Sequence, residues 1–126
     1  MLENTRGVPI VSHRGKHVRG ISQECLDKMI AQLKGLVVGY CTNNPYRQFS
    51  VRNILGGENF VWVGTPLQGL YDKHINEGKS DAEAIAAAGQ DAGRLLKRAI
   101  IEMKGRTFVL GDAGLANGYI WKGDHL

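Results

Sequence analysis

The sequence predicts an α+β fold, a mostly helical single domain that closes on a C-terminal β-hairpin. Three observations lead there. Apolar residues recur at helical spacing over residues 22–40 and 92–104. Serine, threonine and proline stand where helices should begin, and glycine where they should end. Near the C-terminus, RTFVL and GYIW flank the turn-rich GDAGLAN, the pattern of two strands joined by a long tip.

The bulk properties agree with a single core. The chain has 126 residues, 43% of them apolar and 22% charged, which suits one domain better than two. No Pro/Gly/Ser-rich linker divides it, so residues 21–126 are expected to form one domain behind a basic arm of residues 1–20. No apolar run approaches the roughly 20 residues of a membrane span. The opening MLENTRGVPIVSHRGKH lacks the apolar stretch of a secretion signal. The expected compartment is the cytoplasm, with no membrane partner. Cys25 and Cys41 do not form a CxxC pair and are expected to be small apolar core residues rather than a disulfide.

Net charge is +4 and the pI about 9.2. Its distribution is uneven. Arg6, Arg14, Lys16 and Arg19 outweigh Glu3 in the arm, acids dominate residues 71–91, and bases dominate residues 92–106.

Taken in order, the arm contains Pro9 and glycines 7, 15 and 20, which suit an extended segment or a loose hairpin turning at Arg14-Gly15. Ser22 is a natural N-cap for the first long helix. Cys25, Leu26, Met29, Ile30, Leu33, Leu36, Val37 and Tyr40 fall within an arc of about 140° at 100° per residue. The arc favours a helix that continues past Gly35 and Gly39. The rival reading stops at Gly35 and makes LVVGYCT a strand, because Val37 and Val38 are β-branched. Asn43-Asn44-Pro45 ends either element. Phe49 to Leu55 should form a short helical turn capped by Ser50 and closed by Gly56-Gly57, and FVWVG at 60–64 reads as a brief strand or extended link. Thr65-Pro66-Leu67-Gln68 has the residues of a helix start, with Leu67, Leu70, Tyr71 and Ile75 on one face and Gly78 at the end. Ser80 and Glu83 form a capping box. A short helix over 81–88 should stop at Gly89, and Asp91 should cap a further helix from Ala92 to Lys104, ahead of the hairpin.

On that last helix Leu95, Leu96, Ala99, Ile100 and Met103 share one side. Arg94, Lys97 and Arg98 lie opposite with Ile101 among them, and Gln90 stands just before the helix. An apolar side would anchor the helix while guanidinium and amide groups project outward, the groups that pair with guanine and adenine in a major groove. With the preceding short helix as a brace, SDAEAIAAAGQDAGRLLKRAI followed by RTFVL…GYIW resembles winged helix-turn-helix domains. The resemblance implies a winged-helix-like bundle whose function is nucleic-acid binding, with duplex DNA as the expected partner. It implies base contacts from Gln90, Arg94, Lys97 and Arg98, and phosphate contacts from Lys104 and Arg106 at the root of the wing. Homodimerisation would suit such a reader. The plainer alternative is helix-dipole pairing, since Asp81 and Glu83 lie near a helix start and Lys97, Arg98 and Lys104 near a helix end.

The remaining polar residues point the same way or nowhere. Arg14, Lys16 and Arg19 on flexible backbone suit phosphate contact by a basic arm. His13 and His17 have no nearby acid or thiol to complete a metal set. His74 reads as solvated. No G-x-S-x-G, H-E-x-x-H or P-loop is present, so no catalytic residue, cofactor or metal is expected. Tyr46, Phe49, Phe60, Trp62, Tyr119 and Trp121 could stack on bases, although alternation in the last two pairs turns part of each towards the core. A protein-interaction module, presenting the same basic face to an acidic partner, is the competing class. A small-molecule sensor with a pocket between the long helix and the hairpin is a third.

Overall fold

Parallel pairing of the first strand with the hairpin ties the two ends of the chain into one sheet. In the computed structural model the described residues are all except 5, 11–17, 56–61, 63, 112–117 and 125–126. They form β1 (Leu2–Glu3), β2 (Pro9–Ile10), α1 (Gln23–Asn43), α2 (Val51–Leu55), α3 (Gln68–Asn76), α4 (Asp81–Glu102), β3 (Arg106–Gly111) and β4 (Gly118–Asp124). The sheet order is β2-β1-β3-β4, with β1 parallel to β3 and the other pairs antiparallel. The α+β class and the C-terminal hairpin are as the sequence predicts.

The N-terminal segment is more than an arm. Leu2 is fully buried and pairs with Phe108, and the chain turns back over Asn4–Val8, where Gly7 takes φ +78°. The Asn4 side-chain oxygen accepts from the N–H groups of Arg6 and Val8 at 2.8 and 3.0 Å, closing the turn. A hairpin therefore forms here, earlier than Arg14-Gly15, which lies outside the described residues.

α1 is the long helix. Ser22 Oγ accepts from the Cys25 N–H at 3.2 Å, and burial of Met29, Ile30, Leu33, Val37 and Cys41 keeps helical spacing to the end. Gly35 and Gly39 face open space, so their cost is local and the buried stripe outweighs it. LVVGYCT is helix, not strand. Cys41 is buried as expected, but Cys25 is exposed, on the open first turn. Burial pushes the Cys41 thiol up to about 11, partly offset by Arg106. Iodoacetamide near neutral pH should therefore label Cys25 and spare Cys41 until the chain is unfolded. Mass spectrometry would count one adduct before unfolding and two after, and two adducts on the folded chain would contradict this packing.

After α1 the chain turns through Asn44-Pro45-Tyr46-Arg47, with the Arg47 N–H donating to the Asn44 carbonyl at 3.4 Å. Tyr46 holds the third position at φ +62°, which favours glycine and costs an L-residue about 1–2 kcal/mol. Phe49 then bonds both ways to Tyr119, N–H to O at 2.8 Å each, and leads into α2.

α3 starts later than its sequence signal. The Thr65 hydroxyl donates to the Trp62 carbonyl at 2.7 Å instead of capping, and residues 65–67 form a tight turn before the helix. Its inner face is Leu67, Leu70 and His74, while Ile75 is 37% exposed. Gly78, at φ +93°, ends the element as expected.

The largest departure is at Gly89. The capping box forms, with Ser80 and Glu83 exchanging bonds of 3.3 and 3.2 Å. The helix it opens then runs unbroken for 22 residues, about 33 Å at 1.5 Å per residue. There is no turn at residue 89, and Asp91 is a mid-helix residue rather than a cap. The physical reason is the apolar stripe. Ala84, Ala88, Ala92, Leu95, Leu96, Ala99 and Ile100 are all buried in one helical register. A break would throw its two halves out of line, and the roughly 1 kcal/mol cost of a helical glycine is small beside that burial. The helix-turn-helix over residues 81–104 is therefore not formed.

Two apolar clusters lie along α4. Met29, Ile30 and Leu33 of α1, with Leu67 just before α3 and Leu70 within it, pack with Ala88, Ala92, Leu95 and Ala99. Val37 and Cys41 pack with Leu96 and Ile100 against Leu2, Phe49, Phe108 and Tyr119. Low numbers thus meet low and high meet high, so α1 and α4 run parallel and both end at the sheet.

Candidate functional site

Two groups of polar side chains on α4 bear on function. The first is the outward face that the sequence indicates. With Leu95, Leu96, Ala99 and Ile100 buried, Gln90 and Arg94 are exposed and Lys97 and Arg98 half-buried, all on the other side of the helix. At 100° per residue Arg94, Lys97 and Arg98 span an arc of about 100°. Arg98 Nε lies 3.3 Å from Glu102, itself 3.3 Å from Lys34. Arg94 reaches Asp91 at 3.4 Å and keeps 39% of its side chain exposed. Among the described residues no carboxylate lies within ion-pairing distance of Lys97 or Lys104. Lys104 is exposed just beyond the end of α4, and Arg106 on β3 stacks over the Trp121 ring at 5.4 Å. Arg19 is exposed, while Arg14 and Lys16, with His13 and His17, lie outside the described residues.

The second group is a buried ionic node centred on Asp91. Its Oδ2 accepts from Lys73 Nζ at 2.8 Å and from His74 Nε2 at 2.7 Å, and the Asp91 side chain is only 7% exposed. Lys73 also donates to the Arg19 carbonyl at 2.7 Å, which ties in the segment before α1. Behind the histidine, Lys79 Nζ lies 2.9 Å from Nδ1 and 2.8 Å from Glu77. An ammonium group has no lone pair to offer, so Nδ1 accepts from Lys79 and the ring proton sits on Nε2, facing Asp91. Both ring nitrogens are engaged, and His74 is 8% exposed. It has no open lone pair for a substrate, so the pair reads as structural rather than as a general base.

The node corrects two sequence expectations, since His74 is buried rather than solvated and Asp91 binds across helices rather than capping one. His74 follows Leu67 and Leu70 at seven and four positions, the slot an apolar residue usually takes. That spacing is the signal that could have found it. Among the described residues no group of three or more metal-ligating side chains comes together. Among them also, no helix is long and apolar enough to cross a membrane.

Compared with known proteins, the chain matches no family model, no curated protein and no solved structure. Of the two groups, the first carries positive charge at the surface. The node's part is to hold α3, α4 and the Arg19 segment together and to engage one guanidinium nitrogen of Arg94. A guanidinium has five donors, and the single contact with Asp91 leaves others directed to solvent.

Proposed function

We propose that the chain binds nucleic acid through the outward face of α4 and the root of the hairpin, mainly by neutralising phosphates. The observation that carries this reading is the segregation along α4. From Leu95 to Ile100 every apolar side chain is buried, and Arg94, Lys97 and Arg98 share the opposite side with the half-buried Ile101 among them. Lys104 and Arg106 extend the positive charge past the helix end, next to the strands. Without a turn at Gly89 no separate reading helix is set across a brace, so contact with phosphate oxygens supplies most of the affinity and base readout by Gln90 and Arg94 is secondary.

Binding of this kind weakens steeply with salt, because each neutralised phosphate releases counterions. Arg94 and Arg98 already have carboxylates within reach, so Lys97 and Lys104 are the cleaner variants. Fluorescence anisotropy on a labelled duplex and a labelled single strand, over a salt series, gives the slope of log K against log salt. The double variant K97E/K104E is expected to lower that slope by about 2, close to 0.9 per lost phosphate contact. An unchanged slope, or no binding by the wild type at low salt, would end the proposal. Tighter binding to polyglutamate than to either oligonucleotide would point instead to an acidic protein partner.

A further inference from the structure

We infer that Tyr46 is a stacking platform for an unpaired nucleobase, which would make single-stranded nucleic acid the ligand class. The inference rests on the phosphate-binding reading above and adds to it a contact with the bases.

Six aromatic residues could serve such a purpose by sequence, and the structure separates them. Phe49, Trp62 and Tyr119 are buried, Trp121 is half-buried beneath Arg106, and Phe60 lies outside the described residues. Tyr46 is 75% exposed. Among the described residues other than glycine, it is also the only one with positive φ. A phenol ring in a position suited to glycine, contributing little to the core, has no structural reason to be there. Backbone outliers of this sort cluster at functional sites.

The turn that presents the ring is held on both sides. The Asn44 backbone N–H and side-chain amide both donate to the Tyr40 carbonyl, at 2.9 and 3.0 Å. Pro45 fixes its own φ, and two residues beyond Arg47 the backbone is locked to β4 through Phe49 and Tyr119. The ring is thus carried outward on a short, anchored loop, so little further ordering is needed when a flat ligand lands on it.

The surroundings are cationic. Arg47 adjoins Tyr46 and Arg52 lies on the first turn of α2, both exposed and, among the described residues, without a carboxylate in ion-pairing range. Val51, next to Arg52, lies over Gly93, 3.9 Å from where a Cβ would stand, and Lys97 is one turn further along α4. The parallel course of α1 and α4 brings their C-terminal ends to the same end of the molecule. Arg47 and Arg52 stand one and six positions after Tyr46, so a phosphate chain held by them can bring a base to the ring, where every base can offer a π-face without sequence preference.

Anisotropy at one moderate salt concentration tests this on two labelled strands of equal length, oligo(dT) and the same backbone with abasic sites. Phosphate number is matched, so only the bases differ. Wild type should bind oligo(dT) about tenfold more tightly. Tyr46→Gly should bind both strands alike, at the abasic affinity, with a melting temperature no lower than wild type, and Tyr46→Phe should keep the preference. Equal wild-type affinity for the two strands overturns the stacking role while leaving phosphate binding in place. Wild type that binds neither strand overturns the phosphate reading, and stacking falls with it. A preference that survives in Tyr46→Gly overturns the choice of residue, and a Tyr46→Gly chain that melts well below wild type assigns the ring to the fold instead.

Discussion

Asp91→Ala is expected to destabilise the fold by about 3–5 kcal/mol, the usual loss when one partner of a buried ion pair is removed. The carboxylate is the shared acceptor for Lys73 and His74, and through Arg94 it also faces the surface. Lys73 has 10% of its side chain exposed, so its ammonium would be left with the Arg19 carbonyl and little water. Thermal and urea denaturation measure the loss, and the variants should rank in order. Asp91→Asn keeps one oxygen that can still accept from Lys73 and His74, though without the charge, and should lose less. A triple change of Asp91, Lys73 and His74 to leucine, methionine and leucine removes all three buried polar groups together and should recover much of the loss, since apolar replacement of a buried ion network is often close to neutral. Loss of under about 1 kcal/mol for Asp91→Ala would mean that the node is open to water and contributes no more than a surface pair.

What could be read from the sequence was whatever neighbours in the chain decide. The Ser80–Glu83 capping box, the Ser22 cap, the glycine stop at residue 78 and the two hairpin strands depend on residues within a few positions of one another, and each forms. The amphipathic split of α4 is local in the same sense, so its outward residues were legible even though the helix boundaries were not. Gly89 shows where this ends. A glycine permits a left-handed stop without requiring one, and packing of the stripe from Ala84 to Ile100 against α1 and α3 decides the matter. His74 and Ile75 exchange their expected places for a related reason. Only the arrival of Asp91 from α4 makes burial of an imidazole favourable, and that carboxylate is 17 positions away. β1 was beyond reach because a two-residue strand has no periodicity of its own, and its partner β3 lies at the other end of the chain.

Phe49→Ala should be the most damaging single truncation in the second cluster, at about 3–5 kcal/mol for a fully buried phenylalanine. The ring is 1% exposed. It meets Phe108 edge-on at 6.1 Å and Tyr119 and Tyr40 at 5.9 and 5.6 Å, so it touches α1, β3 and β4 at once. Aromatic pairs of this geometry add to the area term, and the cavity left by alanine would be walled by rigid rings and β-strands that cannot close over it. The same residue joins the loop to β4 through two backbone bonds. Its loss should therefore loosen the Tyr46 turn and the start of α2 before the helical core opens. Hydrogen exchange would show this order, with faster exchange at the amides of position 49 and Tyr119 and unchanged protection at Leu33 and Leu95 in the first cluster. Phe49→Leu, which retains most of the apolar volume, should lose less than half as much. Equal losses for the two variants would mean that packing against the aromatic neighbours matters less than the strand bonds, and uniform acceleration across both clusters would mean that α4 couples them into one unfolding unit.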